Sequence, residues 1–196
     1  MKKIIQTEVV TFDELTPQQQ AKVLDNLRDI NTDFEWWESS YDFYKILLGY
    51  MGFEGVEISF SGFSSQGDGA SFTADRYSYA KDAVKKIREA SPTDTAFTQC
   101  AKEIQHRYFY GITGIVCRKS TMYAHQNTVE AEIFNSKGEW IGQKPEQEFN
   151  TIIRRLMKHI YRQLEEEYDD LTSDEQVKEA IEANEYFFNP VTLEIA

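Results

Sequence analysis

The run "VEISFSGFSSQGDGASFTADRYSY", residues 56–79, reads as two strands folded about a turn. Val56, Ile58 and Phe60 alternate with Glu57, Ser59 and Ser61, the period-two pattern of a strand with one buried face. "ASFTADRYSY" returns as its partner through Phe72. The connection is "SSQGDG", residues 64–69. Gly67 and Gly69 can take positive φ, and Asp68 tolerates turn geometry and can bond its own backbone. A structured hairpin turn explains that composition. The same loop also presents Ser64, Ser65, Gln66 and Asp68 on a short, stiff frame, and such frames contact partners.

Working outward, "ITGIVCRKS" and "HQNTVEAEIFNSKG" suggest a second hairpin, with Val129, Ala131 and Ile133 alternating with Glu130, Glu132 and Phe134. Helices fill the intervals. "LTPQQQAKVLDNLRDIN" has Thr16 to cap it, Pro17 at its first position and Val23, Leu24 and Leu27 as its stripe. In "DFEWWESSYDFYKILLGYMGFE", Trp37, Tyr41, Tyr44, Leu48 and Met51 make one stripe. Trp36, Phe43, Leu47 and Tyr50 make a second, and Gly52 lies near the end. Two more helices flank Pro92. In "PEQEFNTIIRRLMKHIYRQLEEEYDDL", residues Phe149, Ile152, Ile153, Leu156, Ile160 and Leu164 share one face of a long helix. A last helix follows Thr172 or Ser173 as cap, with Glu175 or Gln176 completing a capping box. Residues 3–10, with Ile4, Ile5, Val9 and Val10, read as a first strand, and "NPVTLEIA" as a short extended tail. The expectation is one α+β domain over residues 1–196. Its antiparallel sheet is built from hairpins and covered by several helices, including a long C-terminal one.

The chain carries 21 basic and 33 acidic residues among 196, a net charge of −12. That disfavours direct nucleic-acid binding, because phosphates need neutralising cations. A basic patch on another protein suits such a surface, and so does water alone. No apolar run reaches the ~18 residues that span a membrane. Cys100 and Cys117 have no metal or disulfide-framework spacing, so a cytoplasmic protein with free thiols is expected. Neither H-E-x-x-H nor C-x-x-C occurs, and no metal or cofactor is expected.

The loop at 64–69 lacks the ending of a P-loop, and it offers too few carboxylates for calcium. A serine nucleophile there needs a base, and His106, His125 and His159 are all distant in sequence. His106 and Arg107 read as a helix end packed on the core. Arg118, Lys119, Tyr123 and His125 mark a polar hairpin tip, with a small anion or protein contact as the alternative. The densest charge lies at Glu165, Glu166, Glu167, Asp169, Asp170, Asp174, Glu175, Glu179, Glu182 and Glu185, opposed only by Lys178. These carboxylates form either a solvated helix face or a mimic of a phosphate backbone.

The strings "EWWESSYDFYKILLGYMGFE", "ISFSGFSSQGDGASF" and "LTSDEQVKEAIEANEYFF" resemble a family of small acidic phage and prophage proteins. The resemblance covers about residues 34–75 and 145–188. Members are usually left as hypothetical or labelled as the antitoxin of a toxin–antitoxin stability system. The final "FFNPVTLEIA" departs from the family's acidic, glycine-containing ending. The resemblance implies a phage-encoded protein in the bacterial cytoplasm that acts by binding a host protein or protein complex. The expected function is inhibition of a bacterial defence system, for example a CRISPR effector, by protein–protein contact, with nucleic-acid mimicry as one form of it. The expected contact residues are Ser64, Ser65, Gln66, Asp68, Glu165, Glu166, Glu167, Asp169, Asp170, Asp174 and Glu175. Two alternatives stay open: an antitoxin that neutralises a cognate toxin, and an enzyme built on the Ser/Gln/Asp loop. The aromatic content is compatible with a homo-oligomer.

Overall fold

The computed structural model describes residues 8–108, 111–120 and 123–196. The chain divides into two compact units. One is formed by the residues up to Trp36 together with Glu166–Ala196, the other by Trp37–Glu165.

The larger unit is α+β. In chain order it contains helix α2 (Glu38–Met51), strands β1 (Phe53–Glu54), β2 (Glu57–Phe60) and β3 (Ala70–Ser78), and helices α3 (Ala83–Ala90) and α4 (Thr95–Arg107). Strands β4 (Ile112–Arg118) and β5 (Val129–Asn135) follow, and then most of the long helix α5 (Gln143–Leu171). All strand pairs are antiparallel, in the order β1, β3, β4, β5, with β2 also on β3.

The hairpin over residues 56–79 is present, with Ile58 opposite Phe72 and Phe60 opposite Ala70. It extends further than its alternating residues indicate. Phe53 opposite Tyr77 and Glu54 opposite Arg76 continue the same register beyond Gly55, so β1 and β2 are two halves of one interrupted strand. The second hairpin runs unbroken from Ile112 opposite Asn135 to Arg118 opposite Val129.

One face of the sheet is dry. Ile112, Gly114 and Val116 of β4 and Val129, Ala131 and Ile133 of β5 are buried, while Thr113 and Ile115 point outward. Phe149 of α5 packs against the rings of Phe53, Tyr77 and Tyr108 at the centre. The six residues expected on one face of α5 are all buried. In α2, Tyr44, Leu47, Leu48 and Met51 are buried, but Phe43 is exposed, and Trp36 precedes the helix. The second aromatic stripe is therefore only partly covered. Gly52 ends α2 at φ +99, and a Cβ there would lie 1.9 Å from the Ser78 carbonyl oxygen.

In the smaller unit, α1 (Pro17–Asn26) and α6 (Asp174–Ala183) enclose a core of Phe12, Leu15, Val23, Val177, Ile181 and Phe188. Hydrophobic burial drives this assembly, and specific caps define its ends. Gln19 Oε1 accepts the Thr16 N–H at 3.0 Å, and Ser173 Oγ accepts the Gln176 N–H at 3.3 Å. Ser173, rather than Thr172, is the α6 cap.

Two expectations change at the termini. Of the first strand at 3–10, residues 3–7 lie outside the described residues, and Val10 contributes a single bridge to Phe188. The tail is not simply extended. It folds back at Asn189, whose N–H donates to the Glu194 carbonyl at 3.0 Å, and Phe188 bridges Ile195.

Candidate partner-binding surface

The loop that follows β2 is organised from within. Asp68 Oδ2 accepts the N–H groups of Ser64 at 2.9 Å and Ser65 at 2.6 Å. The Ser61 N–H donates to the Gly69 carbonyl at 3.1 Å, closing the base. Asp68 is thus the turn's anchor, a common use of a short carboxylate. Two N–H groups that such a loop could offer to a partner are taken up by it. Ser64, Ser65 and Gln66 remain exposed at the tip.

The two loop glycines serve different needs. Gly67 sits at φ +101, beside the Tyr123 ring. Gly69 has no positive φ. A Cβ there would fall 2.6 Å from the His125 ring, so its role is close approach. The fold brings His125 against a loop that precedes it by more than fifty residues in sequence. Their polar groups, however, turn to the backbone. His125 Nδ1 accepts the Asn127 N–H at 3.1 Å, and the Ser61 hydroxyl donates to the Ala124 carbonyl at 2.9 Å.

The basic residues of the neighbouring hairpin tip are engaged as well. Lys119 pairs with Glu132 at 3.2 Å, and Arg118 donates to the Ser71 hydroxyl at 3.5 Å. His106 and Arg107 are exposed at the end of α4, where Arg107 pairs with Glu148 at 2.9 Å. Cys100 is buried, and burial pushes its thiol up to about 11, the setting of an inert cysteine. Among the described residues, no group of three or more His, Cys, Asp or Glu could hold a metal ion. No helix among them is long and apolar enough to cross a membrane.

Beside the loop lies a half-buried aromatic cluster. Phe60 stacks on Phe63 at 5.1 Å and meets Trp37 edge-on at 5.3 Å. Phe63 lies 5.6 Å from Tyr161 of α5, and Tyr41 meets Phe60 at 6.4 Å. The Tyr161 hydroxyl is held above its ordinary pKa, first by burial, then by the carboxylates of Glu165 and Asp68. Two acids singled out separately in the sequence, Glu165 and Asp68, thus act electrostatically on one tyrosine. Aromatic side chains with carboxylates beside them match the make-up of protein interfaces, which concentrate aromatics at their centre and polar groups at the rim. A cationic side chain could stack on such rings and meet the two acids.

The other acidic residues belong to the smaller unit. Glu166, Asp169 and Asp170 are exposed on the last turns of α5, and Glu167 is half-buried. Glu175, Glu179 and Glu182 line one exposed face of α6, while Val177 and Ile181 face its core. Asp174 is exposed but bound, since Arg28 bridges it and Asp25 and also donates to the Thr172 carbonyl at 2.9 Å. It is a structural acid as well as a surface one.

Sequence reading did not single out Tyr161 or Phe63. A signal existed for Tyr161, which sits one position off the apolar face of α5 in an otherwise charged helix surface. Its convergence with Phe63 and Asp68 depends on tertiary packing.

The chain belongs to the DUF8835 family, a domain of unknown function, which matches residues 36–174. No curated protein and no solved structure matches the chain.

Proposed function

We propose that this member of the DUF8835 family is a binding protein that engages a basic surface of a partner protein and performs no chemistry of its own. The observation that carries this reading is the aromatic cluster in which Phe63 packs on Tyr161, whose hydroxyl is raised in pKa by burial and then by the Glu165 and Asp68 carboxylates. The aromatic rings supply area and specificity, and the acids supply charge complementarity. The exposed carboxylates of α5 and α6 add long-range attraction, which raises the association rate and fades as salt shortens the Debye length.

The partner class follows from the sequence resemblance to small acidic phage proteins. We assign it to a nucleic-acid-handling defence complex of a bacterial host, such as a CRISPR effector, whose phosphate-binding surface is basic. Neutralisation of a toxin is the second reading, and it rests on the same resemblance.

Tagged protein is used to capture partners from bacterial lysate at low and high salt, beside a variant carrying Glu165→Lys, Glu166→Lys and Glu167→Lys. A nucleic-acid-binding complex recovered by the wild type only at low salt, and lost with the variant, supports the reading. Capture that ignores both salt and charge reversal overturns it. Expression in a CRISPR-immune strain separates the two biological roles. Restored phage plaques indicate the defence inhibitor, and rescue from a toxic neighbouring gene indicates the antitoxin.

A further inference from the structure

The smaller unit carries a groove that the proposed function does not use. It has a volume of about 500 Å³ and lies between the 3-10 turn Phe12–Glu14 and the C-terminal end of α6. Phe12, Ile181 and Phe187 line it, together with Asp13, Glu182 and Glu185. Phe187 is 46% exposed although it is a large apolar residue. A volume of this size suits one large side chain and its neighbour.

The chain itself shows which chemistry this surface holds. Lys178 Nζ lies 3.3 Å from Asp13 and 3.3 Å from Glu182, and it sits 5.7 Å over the Phe12 ring. A cation is thus already bound by carboxylates above an aromatic face. That lysine is one cation against three carboxylates, so the groove stays acidic.

The position of Glu185 is unusual. It has φ +53, just beyond the α6 C-cap Asn184. Its N–H donates to the Glu182 carbonyl at 3.0 Å, and the Tyr186 N–H donates to that of Ile181 at 3.2 Å. This is a Schellman ending, where glycine is usual and a side chain is strained. Here the residue is a glutamate, and it lines the groove. All six named groove residues lie outside the stretch 36–174 that the family matches.

We propose that this groove binds a short peptide segment of a partner protein in which arginine flanks a large apolar residue. The planar guanidinium stacks on an aromatic face and forks onto carboxylates, which a lysine ammonium does less well. The apolar residue covers Phe187 and lies along Phe12 and Ile181. This site shares no residue with the Tyr161 surface and does not depend on it.

The test follows amide NMR spectra of the full chain during titration with acetyl-Arg-Leu-Arg-Leu-amide and with its Glu-for-Arg analogue. The basic peptide should perturb residues 11–13 and 182–187 and saturate below millimolar concentration, and the acidic analogue should not. The double variant Glu182→Gln, Glu185→Asn should bind about tenfold more weakly, the loss expected for charge-assisted hydrogen bonds. Asparagine keeps the left-handed backbone, so the helix ending survives. Phe187→Ala, at an exposed position, should weaken binding comparably without loss of fold. No perturbation of these residues, an equal response to the acidic peptide, or unchanged affinity in both variants overturns the proposal. So do shifts confined to the surroundings of Tyr161. Perturbation of the same residues by raising the protein concentration alone assigns the groove to a second copy and overturns it too. Failure here leaves the salt-sensitive capture unaffected.

Discussion

The Asn150 side chain pairs with the backbone of Ala131 as a neighbouring strand would. Its Oδ1 accepts the Ala131 N–H at 2.8 Å, and its Nδ2 donates to the Ala131 carbonyl at 3.0 Å. Nδ2 also reaches the Glu146 carbonyl at 3.0 Å. Ala131 lies in β5, at the end of the strand order, where backbone groups lack a strand partner. One buried amide on α5 thus takes up the outer backbone groups of Ala131 and ties the helix to the sheet edge. Asn150→Leu leaves both Ala131 groups unsatisfied and should cost about 2–3 kcal/mol in chemical denaturation.

A half-buried pair links α4 to α5. His159 Nε2 lies 3.0 Å from Asp94 Oδ2, while Asp94 Oδ1 accepts the Phe97 N–H at 3.0 Å as the α4 cap. Burial alone raises the Asp94 pKa, but the His159 hydrogen bond and the backbone N–H groups outweigh it, and the net shift is downward. A depressed carboxylate stabilises the fold above its unfolded pKa, ordinarily 3.8 here. That stabilisation is lost as pH falls from there through the lower folded value. The difference in melting temperature between wild type and Asp94→Asn should therefore shrink as the pH falls below that unfolded value. Asp94→Ala, which also removes the cap, should cost about 2 kcal/mol at neutral pH.

The hairpin loop separates structural from contact residues. Asp68→Ala removes the acceptor for Ser64 and Ser65 and should lower stability by about 1–2 kcal/mol. Gln66→Ala at the exposed tip should leave the melting temperature unchanged. Gly69→Ala drives a methyl into the His125 ring and should destabilise the protein more than either.

Tyr77 offers a stabilising change. Its ring is fully buried against Phe53 and Phe149, but its hydroxyl has no hydrogen-bond partner among the described residues. An unsatisfied buried hydroxyl carries a desolvation cost. Tyr77→Phe should raise stability by about 1 kcal/mol, read as a shifted denaturation midpoint.

These sites mark where sequence reading stops. Alternation in β2 and β5 and the apolar face of α5 were legible because burial imposes a period on one element at a time. The Thr16 cap was legible from its residue type beside Pro17, and its partner Gln19 lies only three residues on. The continuation of the hairpin into β1 was not, because Gly55 interrupts the alternation while the register persists. Asn150 with Ala131, Asp94 with His159, and Tyr161 with Phe63 were not, because each joins residues whose contact exists only after α5 has packed. The loop glycines show both cases. Positive φ at Gly67 follows from turn chemistry, but the close approach of His125 to Gly69 leaves no local trace.

On the reading proposed above, the surface around Tyr161 binds a basic protein partner. The most direct measurement is the dissociation constant of the captured partner for wild type and for Tyr161→Ala with Glu165→Lys, as a function of salt, with melting curves confirming that both fold. Wild-type affinity should fall steeply as salt rises, and the double variant should bind at least tenfold more weakly at low salt, a difference of about 1.4 kcal/mol. Equal affinities with a flat salt dependence would contradict that reading.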